Sequence, residues 1–242
     1  MSPEALKKIY RELSRGVDQL QFGPPVTHVY NPLNYASHTA EMYLDKAGAS
    51  PKKVLFLGMN PGPWGMAQTG VPFGTLDMVR NWLNIDGPVG KPDIEHPSRP
   101  IVGFGVQKEE VSGSRFWGWA RDRYGTARRF FQDHFVANYC PLVFMEVTGR
   151  NRTPDKLPAE EKSRLFNHCD RALQQVVELL QPEILVAIGK FAEDRARLAL
   201  AGTSIRIGRI LHPSPASPLA NRGWAPQAEQ QLQALGIQLP GG

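Results

Sequence analysis

The sequence predicts an α/β protein in which a central parallel sheet of four strands is flanked by helices on both faces. Four short apolar segments are typical of buried strands, and segments with apolar residues at helical spacing lie between them. Such alternation favours a parallel sheet, because each helix returns the chain to the edge where the previous strand began. With 242 residues and 41% hydrophobic composition, the chain can bury one sizeable core, so we expect a single domain over residues 1–242.

The helices and strands are predicted in order along the chain. Residues 3–20 carry apolar side chains three and four positions apart, which indicates an amphipathic helix. Residues 158–181 have a similar stripe, which Pro182 ends. The remaining predicted elements are a strand at 53–57, a loop with four prolines at 84–100, a strand at 135–145 that Pro141 interrupts, a strand at 184–188, a helix at 191–201, a strand at 205–211 and a helix at 227–235.

Composition narrows the function classes. The 28 Lys and Arg exceed the 23 Asp and Glu by five, which suits a polyanionic partner but also an ordinary charged surface. Two cysteines, Cys140 and Cys169, are too few for a disulfide framework and too far apart for a metal pair, which favours a reducing compartment. No N-terminal segment resembles a signal peptide, and no apolar run approaches the ~20 residues of a membrane helix. We expect an intracellular protein that needs no membrane.

Two turn-rich loops predict the position of the functional site. GMNPGPWGMAQTGVPFG (58–74) directly follows the first predicted strand, and LHPSPASPLANRGW (211–224) follows the last. In open parallel sheets, ligands bind beyond the carboxyl ends of the strands, so the two loops are expected to meet at one site together with Asn138. The first loop has neither the GxGxxG spacing nor a GK[ST] ending, which makes a dinucleotide or phosphate cradle a weak hypothesis.

His212 differs from the other histidines in its surroundings. It lies between a predicted strand end and a Pro-Ser-Pro turn that fixes the backbone, so its imidazole is expected to be held in one orientation. A functional side chain and a structural cap of the strand end are both compatible with this pattern.

A basic and aromatic segment spans residues 112–129. Five arginines, one aspartate, two tryptophans, a phenylalanine and a tyrosine alternate within SGSRFWGWARDRYGTARR. Basic groups among aromatic rings are typical of single-strand nucleic-acid binding. The same pattern is also expected of an amphipathic helix with buried rings and solvated arginines, and the sequence leaves both interpretations open.

The two loops together closely resemble the signature loops of the single-strand-selective monofunctional uracil-DNA glycosylases. The likeness continues through VSGSRFWGWARDRYG, FVANYCPLVFM and GRNRTPDKLP, and so covers nearly the whole chain. The resemblance implies the uracil-DNA glycosylase fold and hydrolysis of the N-glycosidic bond of uracil, and of 5-hydroxymethyluracil, in single- and double-stranded DNA. It further implies base flipping, an abasic product, a monomer, and no cofactor or metal.

The resemblance also assigns roles to the residues of the two loops. Asn60 is expected to position the attacking water, although an amide is a very poor base. His212 is expected to donate a hydrogen bond to O2 of the departing uracil. The expected base-binding residues are Phe73 as the stacking ring, Asn138 at the Watson–Crick edge, Gly62 and Met66 near C5, and Gly58 and Met59 within the same loop.

The family pattern places DNA contacts in the second loop and at basic positions nearby. In animal members, HPSP is usually followed by Arg within a segment that wedges into the duplex, whereas this chain has Ala216. We therefore expect weaker action on paired DNA than on single strands. The expected DNA-binding residues are Ser214, Pro215, Ala216, Ser217, Arg222 and Arg150.

Two other functions remain open at this level. A glycosylase of the same fold that acts mainly on deaminated purines would share these loops, and a non-catalytic binder of damaged bases would tolerate Asn60. Relatives with an iron–sulfur cluster are disfavoured because they need four cysteines. The compartment is expected to be the cytoplasm in a bacterium and the nucleus in a eukaryote.

Overall fold

The computed structural model describes residues 3–48 and 51–241. Its strands are β1 Val26–Tyr30, β2 Val54–Gly58, β3 His134–Asn138, β4 Val143–Glu146, β5 Asn151–Arg152, β6 Ile184–Ile188 and β7 Arg206–Ile210. Its α-helices are α1 Pro3–Asp18, α2 Pro32–Tyr35, α3 Ser37–Ala47, α4 Met66–Thr69, α5 Val111–Tyr124, α6 Ala127–Asp133, α7 Ala159–Leu180, α8 Lys190–Ala199 and α9 Trp224–Ala234.

Four of the described strands form the central sheet, in the order β3-β2-β6-β7, and all of them are parallel. Every residue of β2 and of β6 is buried, as expected for central strands covered on both faces. The edge strand β7 contains exposed and half-buried residues as well as buried ones. The predicted four-stranded parallel sheet is therefore confirmed.

Helices cover both faces of this sheet. On one face, Phe56 of β2 packs against the rings of Phe116 in α5 and Phe130 in α6, with centroids 5.5 and 6.3 Å away. Side chains alternate along a strand, so residues one position away project to the other face. Tyr139, just after β3, projects there and contacts Phe166 of α7 and Phe191 of α8 at 5.5 and 5.8 Å.

The chain reverses its direction across the sheet at β2. It passes from β2 to β3 on one side and later returns to β6 on the other side of β2. Such a switch point opens a crevice at the carboxyl end of the strand, where ligands bind in open α/β sheets. The loop at 58–74 begins at this point.

The predicted strand at 135–145 is wrong as one element, because it divides between two sheets. After β3, the N–H groups of Tyr139 and Cys140 still donate to the carbonyls of Gly58 and Met59, both at 2.9 Å. Pro141 has no N–H to continue this ladder. The chain then enters β4, which pairs antiparallel with β1 and β5 in a small second sheet.

Most helix and strand bounds agree with the predicted ones to within two residues, and residues 84–100 contain no helix or strand. Several described elements were not predicted, namely the helices α2, α3, α4 and α6 and the strands β1 and β5. In addition, α9 begins at Trp224, three residues before its predicted start. Among residues 3–48 and 51–241, no helix is both long and apolar enough to span a membrane.

Candidate active site

The carboxyl ends of β2 and β3 lie side by side, and this pairing creates the site. Gly58 is in register with Asn138. A Cβ atom at Gly58 would overlap the Oδ1 atom of Asn138 and would lie 2.7 Å from the Phe73 ring. Only a residue without a side chain therefore allows the Asn138 carboxamide and the Phe73 ring to converge beyond the strand ends.

Phe73 is held in position with its backbone in an uncommon conformation. Its φ angle is +54°, in the left-handed region that L-residues other than Asn and Asp rarely adopt. One side of its ring stacks on Phe116 of α5 at 5.3 Å, and the indole N–H of Trp117 donates to the Pro72 carbonyl at 3.0 Å. Backbone strain of this kind persists only where the surroundings enforce it, and it is common at ligand sites.

Asn60 has its amide nitrogen committed to the protein backbone. The Nδ2 atom donates to the carbonyl of Leu142 at 3.0 Å and to that of Pro61 at 3.3 Å. These bonds fix the carboxamide, and they leave Oδ1 to accept a hydrogen bond within the cavity.

His212 is a neutral hydrogen-bond donor in this structure. The backbone N–H of Ser214 donates to its Nδ1 atom at 3.0 Å, so the single proton of the neutral ring is on Nε2. Burial lowers the pKa of His212 to about 4. Among the described residues, Nε2 has no protein acceptor, and its N–H is available to a ligand.

Asn138 offers both a donor and an acceptor at the strand end. Its Nδ2 atom donates to the sulfur of Met66 at 3.4 Å, a weak bond that a better acceptor replaces readily. Its Oδ1 atom lies above Gly58. The side chain can therefore pair with a ligand that has an acceptor next to a donor.

These side chains line one cavity of about 460 Å³, a size typical of small-molecule sites. Of the predicted site residues, the lining contains Met59, Asn60, Gly62, Met66, Phe73, Asn138, His212, Ser214 and Pro215. Gly58 lies buried beneath them, whereas Ala216, Ser217, Arg150 and Arg222 lie outside the lining, and all of these except Ser217 are well exposed.

Hydrogen bonds hold the second loop against α5. Arg115 donates to the Pro213 carbonyl and to Asn221 Oδ1, both at 2.9 Å. Asn221 in turn donates to the Pro215 carbonyl at 2.9 Å. One arginine of the basic segment thus positions the loop that contains His212.

The aromatic rings of the segment at 112–129 belong to the core. Phe116 and Trp117 are fully buried in α5, and Trp119 and Tyr124 are buried as well. Of the two interpretations that the sequence left open, the structure supports the amphipathic helix, and these rings do not form a base-stacking surface.

Four polar residues of the cavity were not predicted from the sequence. They are Glu110, Ser112, Asn151 and Thr153. Asn151 and Thr153 lie beside arginines in GRNRTP, but a single amide or hydroxyl residue does not by itself indicate a position in a binding cavity. Glu110 is the N-cap residue of α5, a position at which Ser, Thr, Asp or Asn would have predicted the start of a helix. Within the described part of the chain, no three His, Cys, Asp or Glu side chains are grouped to hold a metal ion.

Two cations at the rim of the cavity were also missed. Lys108 Nζ lies 4.5 Å and the Arg99 guanidinium carbon 5.2 Å from the centroid of the Trp64 ring. Trp64 directly follows Pro63, a lining residue. Positive charge and a partly exposed ring therefore adjoin the cavity on the side of the first loop.

The protonation state of His212 is directly testable. We expect its imidazole to gain a proton only near pH 4, whereas an exposed imidazole titrates at about 6.5. As the pH drops below about 6.5, the unfolded chain binds this proton before the folded protein does. The free energy of unfolding therefore decreases as the pH drops from about 6.5 towards 4.

The measurement is a titration of the ring ¹⁵N chemical shifts. Burial also lowers the pKa of His134 to about 4, so the His212 signal is assigned by its loss in His212→Ala. A midpoint near 6.5, or a proton on Nδ1 at neutral pH, would contradict the assignment.

Comparison with known proteins agrees with this site. The model of the uracil DNA glycosylase superfamily matches residues 46–233. A single-strand selective monofunctional uracil DNA glycosylase of Mus musculus is 48% identical over 93% of this chain and 81% of its own length. The Rattus norvegicus protein of that name is 49% identical over 93% and 82% of the two chains.

A solved structure shows the same fold at low sequence identity. The crystal structure of wild-type Pedobacter heparinus SMUG2 matches with a TM-score of 0.66 at 15% identity, over 94% of this chain and 97% of that chain. The family model and the close relatives together settle the membership: this chain belongs to the single-strand selective monofunctional uracil-DNA glycosylases of the uracil DNA glycosylase superfamily.

Proposed function

We propose that this protein removes uracil from single- and double-stranded DNA by hydrolysing the N-glycosidic bond, and that it leaves an abasic site. The observation that carries the proposal is the neutral His212 imidazole, whose free Nε2–H lies in the wall of the cavity that also contains Asn138 and Phe73. An aromatic face, a paired donor and acceptor, and a second donor suit a flipped pyrimidine.

Base selection rests on Asn138. Its Oδ1 atom accepts from N3–H of uracil, and its Nδ2 atom donates to O4 once the contact with Met66 is displaced. Cytosine has an amino donor where uracil has O4 and lacks the N3–H, so it would oppose both bonds. Phe73 stacks on the base and replaces part of the stacking that flipping costs.

Bond cleavage rests on His212 and Asn60. When the C1′–N1 bond breaks, its electron pair moves to the base and negative charge develops on O2, while the sugar becomes positively charged. The Nε2–H of His212 donates to O2 and stabilises that charge without a proton transfer. Asn60 Oδ1 holds the water that adds to C1′, and the water loses its proton to solvent.

The product is an abasic site without strand cleavage. A glycosylase that also cuts the strand needs an amine nucleophile, and no lysine lies among the described residues that line the cavity. We extend the proposal to 5-hydroxymethyluracil, because Gly62 and Met66, which the family resemblance assigns to the C5 region, both line the cavity.

DNA is held around the rim of the cavity. The loop at Ser214, Pro215, Ala216 and Ser217 contacts the strand beside the flipped nucleotide. Phosphates are bound by the exposed arginines Arg150 and Arg222 and by the cations beside Trp64. We further propose that the protein acts as a single-domain monomer inside the cell.

Loss of either catalytic group is expected to slow uracil removal strongly. A preorganised donor to a developing anion contributes about 10²–10³-fold in rate, so the rate of uracil removal by His212→Ala should be lower by that factor. Asn60→Ala should lose about 10²-fold, since the water is no longer positioned. The measurement is single-turnover cleavage of an end-labelled uracil oligonucleotide, followed by alkali.

The assay includes a matched control variant, and two other results would each indicate a different function. His38→Ala removes an exposed histidine outside the cavity and should retain full activity. Tight binding without turnover by the wild-type protein would make it a damaged-base binder. Faster removal of hypoxanthine than of uracil would indicate a glycosylase of deaminated purines.

The exposed Ala216 is expected to limit action on paired DNA. A small side chain fills little of the gap that a flipped base leaves, so Ala216→Arg should raise the ratio of double-strand to single-strand rates. The ratio is measured on one uracil sequence, alone and paired with adenine, with Ala216→Ser as the control. Equal rates of the wild-type protein on both substrates would contradict this account.

A further inference from the structure

A second cavity lies at the other end of α5 from the active site. Its volume is about 470 Å³, and it shares no lining residue with the active-site cavity. Ser112, at the start of α5, lines the active-site cavity, whereas Thr126, just after the end of α5, lines the second cavity. At a rise of about 1.5 Å per residue, the 14 residues of α5 separate the two by about 21 Å.

The second cavity is positively charged. Among the described residues that line it, three are cationic and none is acidic. Two of the cations, Lys46 and Arg128, are exposed, and neither has an acidic partner in the described part of the chain. Asp45, the neighbour of Lys46, pairs with Lys7 instead, at 2.7 Å. The charge of both side chains is therefore available to an anionic ligand.

The third cation, Lys52, is a buried one. Its side chain is only 3% exposed, and its Nζ atom donates to the carbonyl of Phe131. Burial lowers the pKa of Lys52 to about 8, an effect that the charge of Asp133 partly opposes, so the ammonium form predominates at neutral pH. A buried ammonium group is costly unless opposite charge compensates it. An anion in the cavity would therefore stabilise Lys52.

A fixed aromatic ring forms part of the cavity wall. The indole N–H of Trp82 donates to the carbonyl of Gly125 at 3.0 Å, and the ring contacts Trp117 and Phe130 with centroids 5.9 and 6.3 Å away. The ring is half-buried, and it lines the cavity together with Phe131. Cations beside an aromatic ring suit a phosphate group that is attached to a planar base.

We propose that the second cavity is a nucleotide-binding site, in which Lys46, Lys52 and Arg128 bind a phosphate group and Trp82 contacts the attached base. A phosphate monoester has about two negative charges at neutral pH and thus matches three cations better than a carboxylate does. The basic segment at 112–129 would then bind nucleotides through Arg128 at its end, although its aromatic rings are buried. This inference goes beyond uracil removal and does not depend on it.

Two sources of the nucleotide share this chemistry, namely a free nucleotide and the DNA strand that flanks the flipped base. At about 3.4 Å per nucleotide, the separation of about 21 Å corresponds to about six nucleotides. An oligonucleotide with two nucleotides on each side of the uracil is too short to reach the second cavity, whereas one with twelve is long enough. Comparison of the two lengths distinguishes the sources.

The first experiment measures the Kd of dAMP by isothermal titration calorimetry at low ionic strength, where phosphate contacts are least screened. We expect the Kd to rise about tenfold in Arg128→Ala and in Lys46→Ala, since a charge-assisted hydrogen bond to the phosphate is lost. Arg129→Ala is the matched control, because Arg129 is an exposed neighbour that does not line the cavity. Deoxyribose 5-phosphate should bind more weakly than dAMP, because it has no base to contact Trp82.

The second experiment measures binding of the short and the long single-stranded oligonucleotides, each with a 2′-fluoro group on the uridine that slows cleavage. If the DNA strand is the source, Arg128→Ala should weaken binding of the long oligonucleotide alone, and Arg129→Ala should have no such effect. If a free nucleotide is the source, Arg128→Ala should weaken binding of dAMP and leave both oligonucleotides unchanged.

The results that would overturn the inference are equally specific. If Arg128→Ala and Arg129→Ala agree within about twofold for dAMP and for the long oligonucleotide, the second cavity does not bind nucleotides. Weaker binding of hexaglutamate in Arg128→Ala, without such a loss for dAMP or the long oligonucleotide, would instead indicate an acidic protein partner. Absence of uracil removal by the wild-type protein would overturn the proposed function and leave this inference intact.

Discussion

The site depends on the close approach of two parallel strand ends at Gly58. Registered pairing of Gly58 with Asn138 sets the spacing, and the missing side chain lets a carboxamide and an aromatic ring occupy the same small region. Packing then fixes each partner: Phe73 lies on Phe116 of α5, and Asn138 ends a buried strand. The proposed recognition of a planar base thus depends on sheet geometry.

The proposed charge stabilisation depends on a second constraint, the backbone turn after β7. The Ser214 N–H occupies Nδ1 of His212, and this bond directs the only ring proton to Nε2. Burial keeps the ring neutral, with a pKa of about 4. In the proposed mechanism, a neutral donor stabilises the anion as it forms without a proton transfer, because an amide such as Asn60 is too weak a base to drive the attack of water.

Hydrogen bonds connect the strand ends at Gly58 with the turn after β7. Arg115, on the helix that supports Phe73, also holds the Pro213 carbonyl, and so links the stacking ring to the imidazole loop. The crossing between the two sheets supplies the Leu142 carbonyl that orients Asn60. A cavity assembled from short, fixed contacts of this kind needs little rearrangement to bind its ligand.

Much of this arrangement was predictable from the sequence. Continuous apolar runs such as 184–188 identify buried strands, and the rule that ligands bind beyond parallel strand ends brought Asn60, Asn138 and His212 together. Their proposed roles came from the family resemblance, and the structure adds the hydrogen bonds that fix the side chains of Asn60 and His212.

Other features were not predictable, for physical reasons. The helix at Ser37–Ala47 was missed because its buried stripe includes the alanines Ala40 and Ala47, which give a weak apolar signal. The segment 135–145 has one continuous apolar pattern, yet pairing partners far along the chain divide it between two sheets. Glu110 lies in the cavity next to Gly62, and a contact between residues so far apart in the sequence produces no local sequence pattern.

The placement of the base in this cavity can be tested by a crystal structure with a single-stranded oligonucleotide that contains 2′-fluoro-deoxyuridine. Its fluorine slows cleavage by destabilising a positively charged sugar. We expect a flipped uracil stacked on Phe73, with Asn138 bonded to N3–H and O4 and with His212 Nε2 within hydrogen-bond distance of O2. A base bound outside this cavity, or one with O2 turned away from His212, would contradict this placement.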